Sequence, residues 1–301
     1  MRAALTDLNF VLSKAPDLIT ALHARANVYL YLKEIPSSVV DFNRLRTLSP
    51  THVDSARLGS KLALAKNKLP EAELWLKFAI ASSKTPDQKA SGLSDLASFY
   101  SDISKTKEAI ATYQELLKIR TGDAWTYNNL SAVQNMSGDF EGAIISAKKA
   151  LGLADFGVAR HNLSEALCSK SQALFEMNKD PKLLKANSIE IEKPLFEALS
   201  DTPDHRGCLS RAARYYEFRV RYLDERQSAG LATEYYERLS KASRWPPHYM
   251  AFMSMNAIKT SLEKGAPPQI INNLQWPTDV LAMIEKQRVP AAVKPAGAKG
   301  P

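Results

Sequence analysis

Four residues of this 301-residue chain carry the chemistry of metal ligands: His161, Cys168, His205 and Cys208. His161 and Cys168 stand seven apart, two helical turns, and so share one helix face; His205 and Cys208 stand three apart across a helix start. Zinc needs four such donors converging in a tetrahedron, and spacing alone does not bring the two pairs together. The plainer reading is a polar histidine beside two small half-buried cysteines, and no metal or other cofactor is expected. Two cysteines also rule out a disulfide framework and fit a reducing compartment or indifference to redox. A second candidate is the run Arg211, Arg214, Tyr215, Tyr216, Phe218, Arg219, Arg221 and Tyr222, where cations interleave with rings. Nucleic-acid binding wants both on one exposed surface. Here Tyr215, Phe218 and Tyr222 follow helical core spacing, and Glu217 stands four before Arg221 as a surface ion pair would. No Gly-rich phosphate loop, HExxH, CxxC or GxSxG occurs. With no nucleophile, base and orienter to name, the chain is read as a non-enzyme.

Composition narrows the class further. Apolar residues make up 45% and charged residues 24%, the balance of a folded soluble protein. No window holds the roughly 18 apolar residues of a membrane span, and Asp7 and Asn9 interrupt any signal-peptide core at the start. A cytoplasmic location is the expectation. The 40 basic residues outnumber 32 acidic ones, for a net charge of +8. That excess has two readings, solvation of a helical surface and attraction to an acidic partner.

The elements that must position these residues announce themselves by repetition. A small residue, a large one four on and an apolar one three further recur as Ala4/Leu8/Val11, Ser38/Phe42/Leu45, Ala72/Leu76/Ala79, Ala109/Tyr113/Leu116 and Ala143/Ala147/Ala150. The offsets are 34, 34, 37 and 34 residues, with one insertion near Thr85–Ala90. Pro16 and Pro50 close the first two units, again 34 apart. A fixed period of this size marks stacked two-helix units, none of which can bury its apolar face alone. β-branched residues do not alternate, so strands are not expected.

In each unit the preceding helix should read large, apolar–small, large, as in Leu93, Leu96, Ala97 and Tyr100, in Tyr127, Leu130 and Ser131, and in Leu209, Ala212, Ala213 and Tyr216. Gly138-Asp139-Phe140-Glu141-Gly142-Ala143-Ile144 supplies a turn between two helices, with Gly138 suited to a left-handed cap. These motifs resemble the tetratricopeptide repeat (TPR), over roughly residues 1–260 and most strongly over 16–155. The resemblance implies an all-α, right-handed solenoid of stacked antiparallel helix pairs. Residues 1–155 hold the regular repeats and 156–288 stretched or degenerate ones, with an insertion near Asn178–Ser188 and a restart at Trp276-Pro277. Residues 289–301 form a Pro/Ala/Lys tail expected to be disordered. The chain opens inside a second helix, so the stripe Leu5, Leu8 and Leu12 is expected to face solvent or a second molecule, a route to self-association.

In this family the first helices line a concave groove. Mapped onto it, the polar line is Asn128, Asn129, His161, Asn162, Glu165, Arg211 and Arg214. Asn129 and Asn162 match the asparagine ladder by which some long TPR superhelices hold a peptide backbone; a carboxamide both donates and accepts. The family's chaperone-tail version grips a C-terminal carboxylate with five residues, of which Asn162 and Arg211 complete too few and both lysines are missing. The resemblance therefore implies a non-catalytic interaction scaffold that takes a partner peptide or helix in the groove. The alternative is an accessory subunit whose basic C-terminal helices contact an acidic or nucleic-acid partner.

Overall fold

A computed structural model describes residues 2–267, 270, 271 and 273–288. Sixteen helices and no strand occur among the described residues. The first nine are α1 (Arg2–Lys14), α2 (Ile19–Tyr31), α3 (Ile35–Leu48), α4 (Val53–Ala65), α5 (Leu69–Ala81), α6 (Pro86–Asp102), α7 (Thr106–Ile119), α8 (Ala124–Ser137) and α9 (Phe140–Leu153). The chain divides into two compact units, one of residues 1–139 and 149–154, the other of residues 140–148 and 155–301.

In the first unit four helices end in the same way. Lys33, Asn67, Ser104 and Gly138 all take positive φ, at 63°, 55°, 59° and 85°. They fall 34, 37 and 34 residues apart, in step with the hydrophobic repeat. The next residue's N–H reaches back five positions in every case, from Glu34 to the Tyr29 carbonyl, Lys68 to Ala63, Lys105 to Tyr100 and Asp139 to Gln134, at 2.8–2.9 Å. This is the Schellman termination, which satisfies the last carbonyls of one helix; at the first three turns it returns the chain as the packed neighbour, α2 with α3, α4 with α5 and α6 with α7. The turn expected at Gly138 is thus one of a series, and three of its members use residues other than glycine.

From α3 onward the small–large–apolar repeat marks the buried face of the second helices, whereas in α1 its third member, Val11, is exposed. Ser38, Leu45, Ala72, Leu76, Ala79, Ala109, Tyr113 and Leu116 are all buried. Ser38 replaces alanine because its hydroxyl donates to the Ala26 carbonyl at 2.8 Å, so nothing polar is stranded. Packing is close enough that a Cβ on Gly59 of α4 would lie 2.8 Å from the Trp75 ring and 3.0 Å from Phe42. In α1 the outcome departs from expectation: Leu12 is buried and Leu8 packs with it against the core that holds Leu22 and Leu45. The large apolar side chains α1 leaves exposed are Phe10 and Val11. No helix among the described residues is long and apolar enough to cross a membrane.

The second unit continues with α10 (Gly157–Met177), α11 (Pro181–Ala186), α12 (Ser188–Asp201), α13 (Arg206–Leu223), α14 (Ser228–Ser243), α15 (Pro246–Glu263) and a last helix, here α16 (Pro277–Arg288). The insertion is the short helix α11, started by Asp180, whose side chain caps Lys182 and Leu183. Two expectations are corrected here. Cys168 on α10 and Cys208 on α13 are fully buried and joined as a disulfide, with 5.4 Å between their Cα atoms. Their 40-residue separation hid the pairing, which requires two first helices to lie side by side. Glu217 is no surface residue either. It is buried, accepts from the Tyr236 hydroxyl at 2.5 Å, and takes the Thr278 N–H and hydroxyl at 3.2 and 2.6 Å. Arg221 pairs instead with Asp279 at 3.0 Å and lies over the Trp276 ring at 5.3 Å. The start of α16 is therefore pinned onto α13. The expected tail, residues 289–301, lies outside the described residues.

Candidate binding surface

In the second unit α10 presents His161, Asn162 and Glu165 within five residues, and α13 presents Arg211 and Arg214. Between them stands His205, the N-cap of α13. Its Nδ1 accepts from the Cys208 N–H at 3.2 Å, which satisfies one orphan donor of the first turn. Accepting at Nδ1 leaves the proton of the neutral ring on Nε2. Burial, then His161 and Arg211, push the His205 pKa below its ordinary value, with Glu165 opposing, so the ring is neutral at physiological pH.

Glu165 ties the cluster together. Its Oε1 accepts from Arg211 at 2.6 Å and its Oε2 lies 3.8 Å from His205 Nε2. The His161 and His205 rings stand 4.5 Å apart and tilted by 30°. Gly207 makes room for this meeting. A Cβ there would fall 2.8 Å from the Glu165 carboxylate and 2.9 Å from the Arg211 guanidinium. Immediately beneath, the Cys168–Cys208 bridge fixes α10 to α13, and the 2.6 Å contact of the Ser164 and Thr202 hydroxyls fixes it to the end of α12. His205 Nε2 and Arg211 Nη1 are buried and make no hydrogen bond among the described residues.

The seven sequence-derived residues thus fall into distinct settings. His161, Glu165 and Arg211 come together, with His205 as a fourth member of the cluster. Asn162 is half-buried on α10 beside His161. Arg214 is exposed one turn after Arg211, forms no ion pair among the described residues, and lines a small cavity with Phe218 and Tyr222. In the first unit, Asn128 is buried and donates to the Asn129 Oδ1 at 3.3 Å, so it supports Asn129 rather than facing outward. Asn129 is half-buried and bonds to the Tyr113 hydroxyl, which lies 3.5 Å from Ser98. Cys168 and Cys208 have spent their sulfurs on each other, which removes them from the four-donor metal set. With Arg211 held by Glu165, the one cation of the carboxylate grip is also already engaged.

Sequence reasoning missed the polar pairs between neighbouring first helices of the first unit. Arg57 on α4 donates to Asp95 on α6 at 2.5 Å, and Lys61 to Asn27 on α2 at 3.4 Å. These partners are 38 and 34 residues apart. The signal was the repeat itself, because residues one period apart are neighbours on adjacent first helices.

No protein-family model matches the sequence, and no curated protein matches it. Among solved structures, the C-terminal part of a TPR repeat-containing protein from Cytophaga hutchinsonii matches with a TM-score of 0.57. That match has 14% identity and covers 83% of this chain and 90% of the other. This is the TPR fold. PilF of Pseudomonas aeruginosa has a TM-score of 0.49 at 14% identity, covering 78% of this chain and 96% of its own. YrrB, a TPR protein with an unusual peptide-binding site, has 0.49 at 13% identity, covering 67% of this chain and 96% of its own. At 14% identity the likeness to the Cytophaga hutchinsonii protein establishes the fold alone.

Proposed function

We propose that the chain is a non-catalytic protein–protein interaction scaffold whose TPR first helices hold an extended or helical segment of a partner. The observation that carries this reading is the preorganised cluster of His161, Glu165, His205 and Arg211. Its members come from two consecutive first helices and are held by an ion pair, a ring contact and a buried disulfide. A surface ordered before the partner arrives loses little freedom on binding. In the first unit Asn129, held by Asn128 and Tyr113, adds a carboxamide suited to a peptide group. The second reading, a basic C-terminal surface for nucleic acid, has less support: Arg219 is engaged by Glu192 and Glu225, and Arg221 by Asp279.

The test is affinity capture of the full chain followed by mass spectrometry, then cross-linking of each captured partner. Cross-links to α10 and α13, weakened by Asn162→Ala and Arg211→Ala, are the expected result. Partners that cross-link only to second helices would overturn it. A steep fall of binding with salt on a log–log scale would favour the nucleic-acid reading instead.

A further inference from the structure

A cavity of about 180 Å³ opens between α10, α13 and the first turn of α16. Its apolar wall is built from Phe175, Phe218 and Tyr222, with Phe218 5.2 Å from Phe175 and 4.5 Å from Tyr222. Phe175 is buried, but Tyr222 is 56% exposed. Drug-sized ligands occupy roughly 300–1,000 Å³, which this cavity does not reach. An apolar cavity of about 150 Å³ holds benzene, so the volume suits a single large side chain. The occupant is then one residue of a longer molecule.

Charge decides what accompanies that side chain. Lys179 pairs with Glu176, and Arg221 with Asp279. The two Glu217 oxygens are taken by Tyr236 and Thr278. The remaining charged group on the lining is Arg214, exposed and with no ion pair among the described residues. An uncommitted guanidinium beside an aromatic slot favours a carboxylate next to an apolar residue. One such cation is too few to track a phosphate backbone, which wants several.

We propose that this cavity is the anchor site for an acidic peptide segment. An aromatic or large aliphatic side chain enters against Phe218 and Tyr222, and a neighbouring Asp or Glu of the same segment pairs with Arg214. The proposal rests on the scaffold reading and adds the chemistry of the partner. It is tested by selecting a phage-displayed library of short random peptides on the full chain and measuring the affinity of synthetic copies of the winners. Selected sequences should place Asp or Glu beside Phe, Tyr, Trp or Leu. Binding should fall at least about tenfold in Arg214→Glu, fall in Tyr222→Ala, and survive in Arg214→Lys. Both side chains are exposed, so circular dichroism and unfolding midpoints should match the parent in all three variants. Winners without acidic residues, or winners that bind Arg214→Glu as tightly as the parent, would overturn the anchor site and leave the scaffold standing. No enrichment at all would bring down both.

Discussion

Arg211 on α13 donates to Glu165 on α10 at 2.6 Å, joining two consecutive first helices across 46 residues of chain. Both side chains keep about a quarter to a third of their surface in water, so screening limits what the pair contributes. Arg211→Ala and Glu165→Ala should each cost about 1 kcal/mol of stability. The double variant should cost less than the sum, because each single change strands the other charge. A urea-unfolding double-mutant cycle measures this, and additive losses would mean the pair is incidental.

Glu217 gives the second unit a pH dependence of defined sign. Burial raises its pKa above the usual 4.5, with the Thr278 and Tyr236 hydrogen bonds opposing. The folded state therefore holds the proton more tightly than the unfolded chain does. That contribution is full below 4.5 and is lost as pH climbs through the raised value. Glu217→Gln removes the loss, so its stability relative to the parent should improve from mildly acidic to neutral pH. Unfolding midpoints across that range provide the check; a pH-independent difference would contradict it. In the same region Thr278→Val should speed hydrogen exchange along α16 while leaving α2–α8 unchanged.

The Cys168–Cys208 bridge closes a loop of 40 residues. In the chain-entropy account a loop of that size contributes about 3–4 kcal/mol. The unreduced protein should resist thiol alkylation and weigh two hydrogens less than the reduced form. Cys168→Ser with Cys208→Ser should lower the unfolding free energy by that order without changing helical content. Bridges persist in oxidising compartments, so mass spectrometry of protein taken directly from its cell, alkylated on lysis, reports the compartment as well.

Legibility in the sequence tracks distance along the chain. The repeat appears because Ala72, Ala109 and Ala143 are buried for the same reason at each recurrence, and one physical cause repeated gives a pattern. The histidine and glutamate of α10 were legible as neighbours for the same reason. Glu217 was misread because a local rule, acid four before base, gives no notice of Thr278 arriving from 61 residues away. Arg211 and Glu165 were both placed on the groove line, but their pairing stayed hidden because they lie one stretched repeat apart, with the insertion at α11 breaking the period. Asn128 and Asn129 are adjacent in sequence, and only their helix's packing decides which one turns inward.

Glu73 in the first unit sets the opposite pH trend. Hydrogen bonds from Lys77, then Tyr100 and Lys105, hold its pKa down at about 2 against the ordinary 4.5. Its contribution is present above 4.5 and lost as pH falls toward 2. Glu73→Gln should be destabilised by about 1–3 kcal/mol at neutral pH. The gap to the parent should close in acid, as read from unfolding midpoints.

The four left-handed turns make the last prediction, because they differ only in which residue bears the strain. An L-residue held at positive φ costs about 1–2 kcal/mol, while glycine takes that conformation freely but loses about 0.5–1 kcal/mol more entropy on folding. Lys33→Gly and Ser104→Gly should therefore stabilise the first unit, each by up to about 1 kcal/mol. Asn67→Gly should gain less, since asparagine already tolerates the left-handed region. Gly138→Ala should lose about 1 kcal/mol, although a Cβ there meets nothing within 4 Å and so causes no clash. Thermal midpoints of the four variants test the ranking. If Lys33→Gly proves destabilising and Gly138→Ala neutral, the turns are not held at positive φ, and the shared Schellman geometry that sets the repeat's antiparallel return is wrong.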